Sequence, residues 1–507
     1  MKIKHIKTYI LSAVLTLSFS SCLDKYPEDS IRMDEAINTV DDMDKLVYGI
    51  YDSFKSSALY SGNLTILPDL QADFVYCVKG YSNAYGDIYR WKDIKATNTD
   101  IESVYGALYG VINNANFLLD NVDKVKANTN SDKELDKLEQ CEGEAYFARA
   151  LAYSELIKCF CKAYDSDEQA AKELGVVLTE HYYGNEPQKR ATLKESYDFV
   201  LRDLDKATEY LKVDEDFTGT LYDEIYFNEY ACHALRARVS LYMHRWDDAI
   251  KYASKVIDSK YYVLASCTQK IGNTSYYQYQ WTAGKSTEGI WKVGFTVNSY
   301  GGALGTIFDN YNYVSYRPDY VPETWVINSF DANDLRAAAI FTTRTTGYEH
   351  GLQWPLLSKY FGDAEFLNNN ILHVHQPMVF RLSEQYLIRA EAYAMNGEYG
   401  KAGKDISTLR TARYSSYGGN TSMSDESSAM KIIEAERVKE LYMEGFRLND
   451  LKRWHKGFER KASDQPAANF VQSSLKVEKD DPLFVWPIPQ HELEAPGSEI
   501  QPNESNK

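Results

Sequence analysis

A run of aromatic side chains between residues 276 and 325 is the part of this sequence best suited to binding a ligand, because aromatic rings can stack on it. Thirteen of these fifty residues are aromatic, six are glycine and seven carry a formal charge, whereas the whole chain is 14% aromatic and 25% charged. Tyrosine outnumbers phenylalanine, and a phenol ring favours a boundary where its hydroxyl stays hydrated. Two hypotheses follow: an irregular, partly β patch folded over a helical core, or a set of loops on which a ligand stacks.

The ligand that such rings suit best is a sugar. Axial C–H groups on one face of a pyranose lie flat on an aromatic ring, and each buried Å² of apolar surface contributes about 25 cal/mol. Nearby polar groups can then bond to the sugar hydroxyls. The low formal charge of the run favours a neutral sugar over a polyanion. A second aromatic group lies upstream of a predicted helix, and the candidate ligand-binding residues from both groups are Asp73, Tyr81, Tyr85, Trp91, Trp281, Trp291, Tyr300, Tyr316, Trp325 and Trp354.

The sequence gives little support to an enzyme or a metal site. It contains no nucleophile-elbow serine, no His-Glu-x-x-His and no phosphate-binding loop. We interpret His373-x-His375 as ordinary strand alternation, and we expect no metal and no cofactor. The segment from Asp214 to Gly219 begins like a calcium loop, but its twelfth position is Ile225 instead of glutamate. An all-helical glycosidase, which needs only two suitably placed carboxylates, stays open as a less favoured alternative.

The N-terminus has the layout of a secretory signal. Three lysines precede an apolar stretch over residues 9–19, and Ser20-Ser21-Cys22 follows. About eleven apolar residues are too few for a membrane-spanning helix, which needs roughly 20. Cleavage after residue 21 would remove the three lysines and change the formal charge from -17 to -20. Such acidity disfavours nucleic acid as a partner.

Helical periodicity covers most of the remaining chain. Apolar residues recur at spacings of three and four over residues 41–59, 100–122, 132–164, 192–211, 228–257, 381–413 and 432–454. In the last of these, acidic and basic side chains alternate at the same spacings from Glu436 to Arg453. This spacing fits an exposed ladder of weak ion pairs or a polar network directed inward between helices, and the sequence leaves the two open.

One internal repeat indicates how the helices pair. Ala237, Trp246 and Ala249 stand at spacings of nine and three, and the same spacings recur 153 residues later at Ala390, Tyr399 and Ala402. Small residues allow close approach of two antiparallel helices and the aromatic fills the gap after the turn, as in tetratricopeptide units. The intervening segment, about residues 259–378, is rich in turn signals, and we expect only short strands there, such as 289–295 and 371–374.

Five stretches, in this order, resemble the SusD/RagB family of outer-membrane nutrient-binding lipoproteins. They are the lipobox-like Cys22, YGALYGVINNAN at 105–116, RLSEQYLIRAEAY at 381–393, ERVKELYMEGFRLNDLKRW at 436–454 and WPIPQHEL at 486–493. Small departures occur at Phe19, Tyr105, Ala495 and Pro502-Asn503, where the family usually has leucine, tryptophan, asparagine and Asn-Pro.

The resemblance implies a mainly α fold in which tetratricopeptide-like helical pairs frame a loop-rich, partly β ligand-binding region. On this basis we expect a lipoprotein signal peptide at 1–21 and one SusD-like fold over 22–507. Within that fold, the expected parts are a helical scaffold at about 40–258 and 379–460, an insertion at about 259–378 and an extended tail at about 461–507.

The resemblance also implies a function. A chain of this kind would be acylated at Cys22, anchored in the outer membrane facing outward, and would deliver captured oligosaccharides to a SusC-like TonB-dependent transporter without catalysis. A peptide-binding lipoprotein of the same architecture is the main alternative, and a protein-interaction scaffold built on the helical pairs is another. An ordinary cleaved signal with a fortuitous cysteine is the alternative to the lipid anchor.

Overall fold

The computed structural model describes residues 36–80, 82–184, 188–213, 224–348, 351, 353–461 and 474–507. Helices dominate these residues, as the sequence predicts, and no helix among them is long and apolar enough to cross a bilayer. The α-helices are α1 (Val40–Ser53), α2 (Asn63–Gln71), α3 (Gly86–Tyr89), α4 (Thr99–Asn128), α5 (Asp132–Phe160), α6 (Asp167–Ala170), α7 (Leu193–Tyr210), α8 (Glu229–Tyr242), α9 (Trp246–Ser259), α10 (Tyr276–Thr282), α11 (Thr306–Asp309), α12 (Thr324–Asn328), α13 (Arg336–Ile340), α14 (Ala364–Asn368), α15 (Leu382–Met395), α16 (Tyr399–Arg413), α17 (Glu426–Glu440), α18 (Arg447–Arg453) and α19 (Gln490–Glu494).

The strands of the described residues are short and form antiparallel pairs only. Strand β1 pairs with β7, β2 with β3, β4 with β5, β6 with β10, β8 with β9 and β11 with β12. Strand β6 lies where the sequence predicts one, but residues 371–374 form a bend instead of a strand. The strands are β1 (Val75–Cys77), β2 (Leu174–Val177), β3 (Arg190–Thr192), β4 (Lys270–Ile271), β5 (Thr274–Ser275), β6 (Gly289–Lys292), β7 (Tyr320–Pro322), β8 (Phe341–Thr345), β9 (Gln353–Leu357), β10 (Met378–Arg381), β11 (Phe458–Arg460) and β12 (Leu475–Val477).

Side-chain caps set where several helices begin. Thr39 caps α1 and forms a capping box with Asp42. Thr192 and Glu195 form the same box at α7. Because each box satisfies amide groups that the helix itself leaves unpaired, these predicted helix starts agree with the structure to within a residue or two.

The two copies of the internal repeat pack directly against each other. Residues 228–257 form two helices, α8 and α9, because the chain turns at His244 with a positive φ of 56°. Ala237 and Ala249 share one apolar cluster with residues of α15, and Ala390 and Ala402 share the next. The long insertion therefore separates the copies in sequence but not in space.

The predicted helix over 432–454 is broken in the middle. Helix α17 ends at Glu440 and α18 begins at Arg447, and Gly445 between them has a φ of 82°. The Gly445 amide donates to Asp69 Oδ2 (2.9 Å), and a Cβ at this glycine would lie 3.1 Å from the Leu64 carbonyl oxygen. The left-handed turn and the close approach to α2 both favour glycine here.

The charged side chains at the C-terminal end of α17 (Glu436, Arg437, Lys439 and Glu440) are buried, which settles the alternative that the sequence leaves open. Glu440 is fully buried, and its carboxylate accepts from Arg336 (2.8 Å), Arg381 (2.6 Å) and Arg413 (2.8 Å). Arg381 and Arg413 also pair with Glu288 at 3.1 and 2.8 Å. Since Glu288 and Arg336 belong to the insertion, this buried network ties the insertion to the helical scaffold.

Candidate ligand-binding face

The two aromatic groups that are separate in the sequence meet in the structure. Strand β1, which follows Asp73, pairs with β7 so that Cys77 lies opposite Tyr320. The Trp325 indole N–H donates to the Asp73 carbonyl oxygen (2.9 Å), and the Tyr320 hydroxyl donates to the Ala84 carbonyl oxygen (2.6 Å). Residues before α4 and residues of the insertion therefore build one region.

One group of neighbouring rings in this region forms what we call the tyrosine shelf, which consists of the exposed Tyr313 and the half-buried Tyr311 and Tyr316. The rings of Tyr311 and Tyr316 are stacked, with centroids 4.5 Å apart and planes 23° apart. The Tyr313 ring lies 5.8 Å from that of Tyr311 and is 57% exposed. Such a group of solvent-facing phenols can stack on a ligand and bond to its hydroxyls.

Hydrogen bonds from several elements hold the loop that carries the shelf. The side-chain oxygen of Asn312 accepts from the amides of Val314 (3.1 Å) and Ser315 (3.0 Å), which closes a turn at the tip. His373 Nε2 accepts from the Tyr311 amide (3.0 Å), and the Gly347 amide donates to the Tyr316 carbonyl oxygen (2.8 Å). The shelf is thus built on a loop whose backbone is fixed from two sides.

A hairpin borders the shelf with a tryptophan and an arginine. In the pair β8–β9, Arg344 lies opposite Trp354. The Arg344 guanidinium carbon is 5.1 Å from the Tyr316 ring centroid and 5.9 Å from that of Phe361. Trp354 is half-buried with its ring edge-on to Tyr76 at 5.9 Å, and its indole N–H has no hydrogen-bond partner among the described residues.

A buried carboxyl group accompanies the shelf. Asp309 ends α11 two residues before Tyr311 and is 1% exposed, and its Oδ2 has no hydrogen-bond partner in the part of the chain that the structure describes. Burial raises the pKa of Asp309 well above its ordinary value, although the charge of Arg344 opposes the rise. Asp309 is therefore a buried carboxyl group, with one unpaired oxygen, that is next to the shelf in sequence.

Two of the tryptophans that the sequence predicts as ligand-binding residues lie in the core. Trp291 is 0% exposed, packs against Phe54 and Phe227 and donates to the Ile225 carbonyl oxygen (3.2 Å). Trp281 is 2% exposed and lies under the Lys359 ammonium group, 3.9 Å from its ring centroid. Neither ring presents a face to a ligand, because side chains from distant segments cover both.

Asp73 and Trp91 serve the framework around the face. The Asp73 carboxylate accepts from Arg447 at 2.8 and 2.9 Å and is buried. Trp91 packs edge-on against Phe458 and Phe484 and donates to a backbone carbonyl of α2. Both side chains are thereby engaged within the protein.

The remaining predicted ligand-binding residues differ in their exposure to solvent. Tyr300 is 44% exposed and Trp325 is 38% exposed, Tyr85 is half-buried with a φ of 56°, and Tyr316 belongs to the shelf. Tyr81 and the predicted lipid-attachment residue Cys22 lie outside the described residues. The structure thus brings Tyr316 and Trp354 together around the shelf and leaves Tyr300 and Trp325 accessible.

Tyr311, Tyr313 and Arg344 are site residues that the sequence analysis does not nominate. The available signal was three tyrosines within six positions of a turn-rich segment, at 311, 313 and 316. Nothing in the sequence connects Arg344 with Tyr316.

The histidine pair does not follow strand alternation, which corrects that interpretation. Both rings are buried in a bend: His373 accepts from the Tyr311 amide, and His375 Nδ1 lies 2.5 Å from Asp363 Oδ1. No group of three or more potential metal ligands occurs among the described histidine, cysteine and acidic residues. The calcium-like segment falls at positions 214–223, outside those residues.

Two protein-family models match separate parts of this chain. A family model described as "SusD family" matches residues 341–503, and one described as "Starch-binding associating with outer membrane" matches residues 22–241. The chain belongs to the SusD/RagB-like family. Neither matched range includes residues 242–340, so the shelf tyrosines of this SusD-like chain lie in the part outside both matches.

Solved structures share this SusD-like fold over nearly the whole chain. A SusD superfamily protein from Bacteroides thetaiotaomicron VPI-5482 is 24% identical, with 92% of this chain and 99% of that chain covered and a TM-score of 0.75. A putative sugar binding protein from Bacteroides vulgatus ATCC 8482 is 24% identical (93% and 100% covered, TM-score 0.75). Surface glycan-binding protein A from Bacteroides fluxus is 19% identical (92% and 100% covered, TM-score 0.67). Among curated proteins, none matches the chain.

Proposed function

We propose that this protein is a non-catalytic, cell-surface glycan-binding lipoprotein that captures oligosaccharides and delivers them to a TonB-dependent outer-membrane transporter. The observation that carries the proposal is the tyrosine shelf, where Tyr311 and Tyr316 stack at 4.5 Å beside the exposed Tyr313. Partly exposed tyrosine rings, each with a hydroxyl, match the amphipathic surface of a sugar. Each contact is weak, so a row of rings suits a chain of several sugar units.

Family membership supports the same proposal. Structural neighbours include proteins named as carbohydrate-binding or surface glycan-binding, and one matching family description refers to starch binding in association with the outer membrane. The predicted signal and Cys22 supply the expected lipid anchor facing the cell exterior. A SusC-like transporter is the partner that the family resemblance implies.

Calorimetry on glycans from an array screen tests the binding function. We expect Tyr311→Ala/Tyr316→Ala to weaken glycan binding at least about tenfold, because it removes both stacked rings. Tyr182→Ala/Tyr183→Ala is the matched control, since these rings also lie close together (4.3 Å) but belong to the helical scaffold. Trp281 and Trp291 are unsuitable for this test because they are buried and their loss would damage the core.

Four results would contradict parts of the proposal. Unchanged binding in the shelf variant would remove the shelf as the site, and release of new reducing ends from a bound glycan would make the protein an enzyme. Selective binding of peptides with no glycan bound would favour the peptide-binding alternative. For the anchor, we expect Cys22→Ala protein to leave the membrane fraction when the transporter is absent, and continued membrane partitioning would exclude acylation there.

A further inference from the structure

Arg344 is an arginine of the shelf whose charge the protein leaves unpaired. Its guanidinium is half-buried over the rings of Tyr316 and Phe361, and it has neither a hydrogen bond nor an ion pair among the described residues. By contrast, the buried arginines Arg381 and Arg413 each pair with two or more carboxylates. A guanidinium has five N–H donors in a fixed planar fork, so Arg344 offers several donors to a ligand.

The nearest carboxyl group does not neutralise this arginine. Asp309 lies within electrostatic reach of Arg344 but forms no ion pair with it in the described structure, and its Oδ2 is buried without a partner. Burial raises the pKa of Asp309, which favours its uncharged form. Arg317, which follows Tyr316 in the chain, adds a second cation, with its guanidinium carbon 5.8 Å from the Tyr348 ring centroid.

Arg344 and Arg317 therefore place two cations at the shelf of a chain whose formal net charge is -17. Stacking on Tyr316 orients the Arg344 fork without using its donors, which is an arrangement suited to a planar or tetrahedral anion. The low formal charge of the aromatic run favours a neutral sugar. The structure points the other way, because folding brings Arg344 over the ring of Tyr316, which precedes Arg317 in the chain.

We propose that the glycan bound at the shelf carries an anionic substituent, the carboxylate of a uronic acid or a sulfate ester, which Arg344 receives while the sugar packs against the shelf tyrosines. This inference rests on the proposed function and names its ligand class. Arg317 contributes longer-range attraction, which added salt weakens.

Paired probes on an array, followed by calorimetry, test the charge of the ligand. The pairs are acidic oligosaccharides and their neutral counterparts: oligogalacturonides with and without reduction of the carboxylate to the alcohol, and chondroitin sulfate oligosaccharides with and without desulfation. We expect at least one acidic member to bind about tenfold or more tightly than its neutral counterpart, since a hydrogen-bonded charge pair is lost. Preference in the first or the second pair identifies carboxylate or sulfate as the anion.

Variants locate the effect at Arg344. We expect Arg344→Gln to abolish the preference for the acidic member, and Arg344→Lys to restore it in part because the charge returns without the fork. Arg202→Gln is the matched control, since Arg202 also stacks on a ring, with its guanidinium carbon 4.3 Å from the Phe199 centroid, but belongs to α7.

The outcomes separate this inference from the proposed function. Equal or tighter binding of neutral glycans that depends on Tyr311 and Tyr316 would overturn the anionic ligand and leave the glycan-binding function standing. An acidic preference that survives Arg344→Gln would also overturn the role of this residue. Failure of every glycan, acidic or neutral, to bind would overturn both.

Discussion

Trp325 donates its indole N–H to the backbone carbonyl of Asp73 across a distance of 2.9 Å and a sequence separation of 252 residues. This bond joins the two aromatic groups beside the β1–β7 pair, where the Phe74 carbonyl also accepts from the Glu323 amide (2.9 Å). The candidate ligand-binding face therefore depends on contacts between the first part of the chain and the middle of the insertion.

Replacement of Trp325 by phenylalanine tests that connection. We expect Trp325→Phe to lower the free energy of unfolding by about 1 kcal/mol, because it keeps an aromatic ring but removes one hydrogen bond. Urea denaturation measures the loss, and hydrogen exchange should become faster in β7. Trp325→Ala, which also removes the ring from Phe74, should cost more. Equal urea midpoints for wild type and Trp325→Phe would show that the bond contributes no net stability.

The buried network centred on Glu440 predicts a large loss of stability when the Glu440 carboxylate is replaced by an amide. Burial alone would raise the pKa of Glu440, but Arg413, Arg381 and Arg336 hold it well below its usual range. We expect Glu440→Gln to destabilise the fold by about 3–5 kcal/mol, because three buried guanidiniums lose their shared carboxylate. Thermal and urea unfolding measure it. Glu168→Gln is the control, since its pair with Lys172 is exposed and should change stability by less than about 0.5 kcal/mol.

Glu144 predicts a pH dependence of stability. Burial raises the pKa of Glu144 from 4.5 to about 8, although a hydrogen bond from Gln140 opposes the rise. The folded state therefore keeps this proton at pH values where the unfolded state has lost it. The contribution of Glu144 to the free energy of unfolding is then fully present below pH 4.5 and falls as the pH rises toward 8. Between pH 4.5 and 8 the wild-type free energy of unfolding should fall by up to about 4 kcal/mol because of Glu144, and we expect Glu144→Gln to lack this fall.

Urea midpoints at pH 5, 6, 7 and 8 measure that decline. The Glu144→Gln protein should lose less stability over this range than wild type, because glutamine resembles the protonated acid and does not ionise. Glu139→Gln, an exposed change on the same helix, should follow the wild-type curve. Parallel curves for wild type and Glu144→Gln would exclude a raised pKa at this residue.

Two glycine substitutions should have effects of opposite sign. Gly445 has a φ of 82° and its added Cβ would lie 3.1 Å from the Leu64 carbonyl oxygen, so we expect Gly445→Ala to destabilise the fold by about 1–3 kcal/mol. Gly400 lies in helix α16, where a Cβ added to it would meet no atom of another residue within 4 Å, so Gly400→Ala should stabilise the fold by about 0.5–1 kcal/mol. Equal urea midpoints for the two variants would contradict both assignments.

The sequence alone determines the helical class, several helix starts and the family of this protein. Helical periodicity and capping residues act within a few positions of one another, so α1, α4, α5 and α7 begin within one residue of their predicted starts, whereas α1 and α4 end six residues from their predicted ends. The repeat around Ala237 and Ala390 is also local, since small residues and one aromatic suffice to specify a close helical pair. The family motifs are likewise contiguous.

The tertiary structure alone decides which charged side chains face inward and which rings face outward. Spacings of three and four are the same for an exposed ladder and for a buried network, and only arginines from β10, α13 and α16 show that Glu440 is buried. Trp291 is hidden because Phe54 and Phe227 arrive from far along the chain, whereas Tyr313 stays exposed at a loop tip. Exposure depends on long-range packing, which local sequence patterns do not encode.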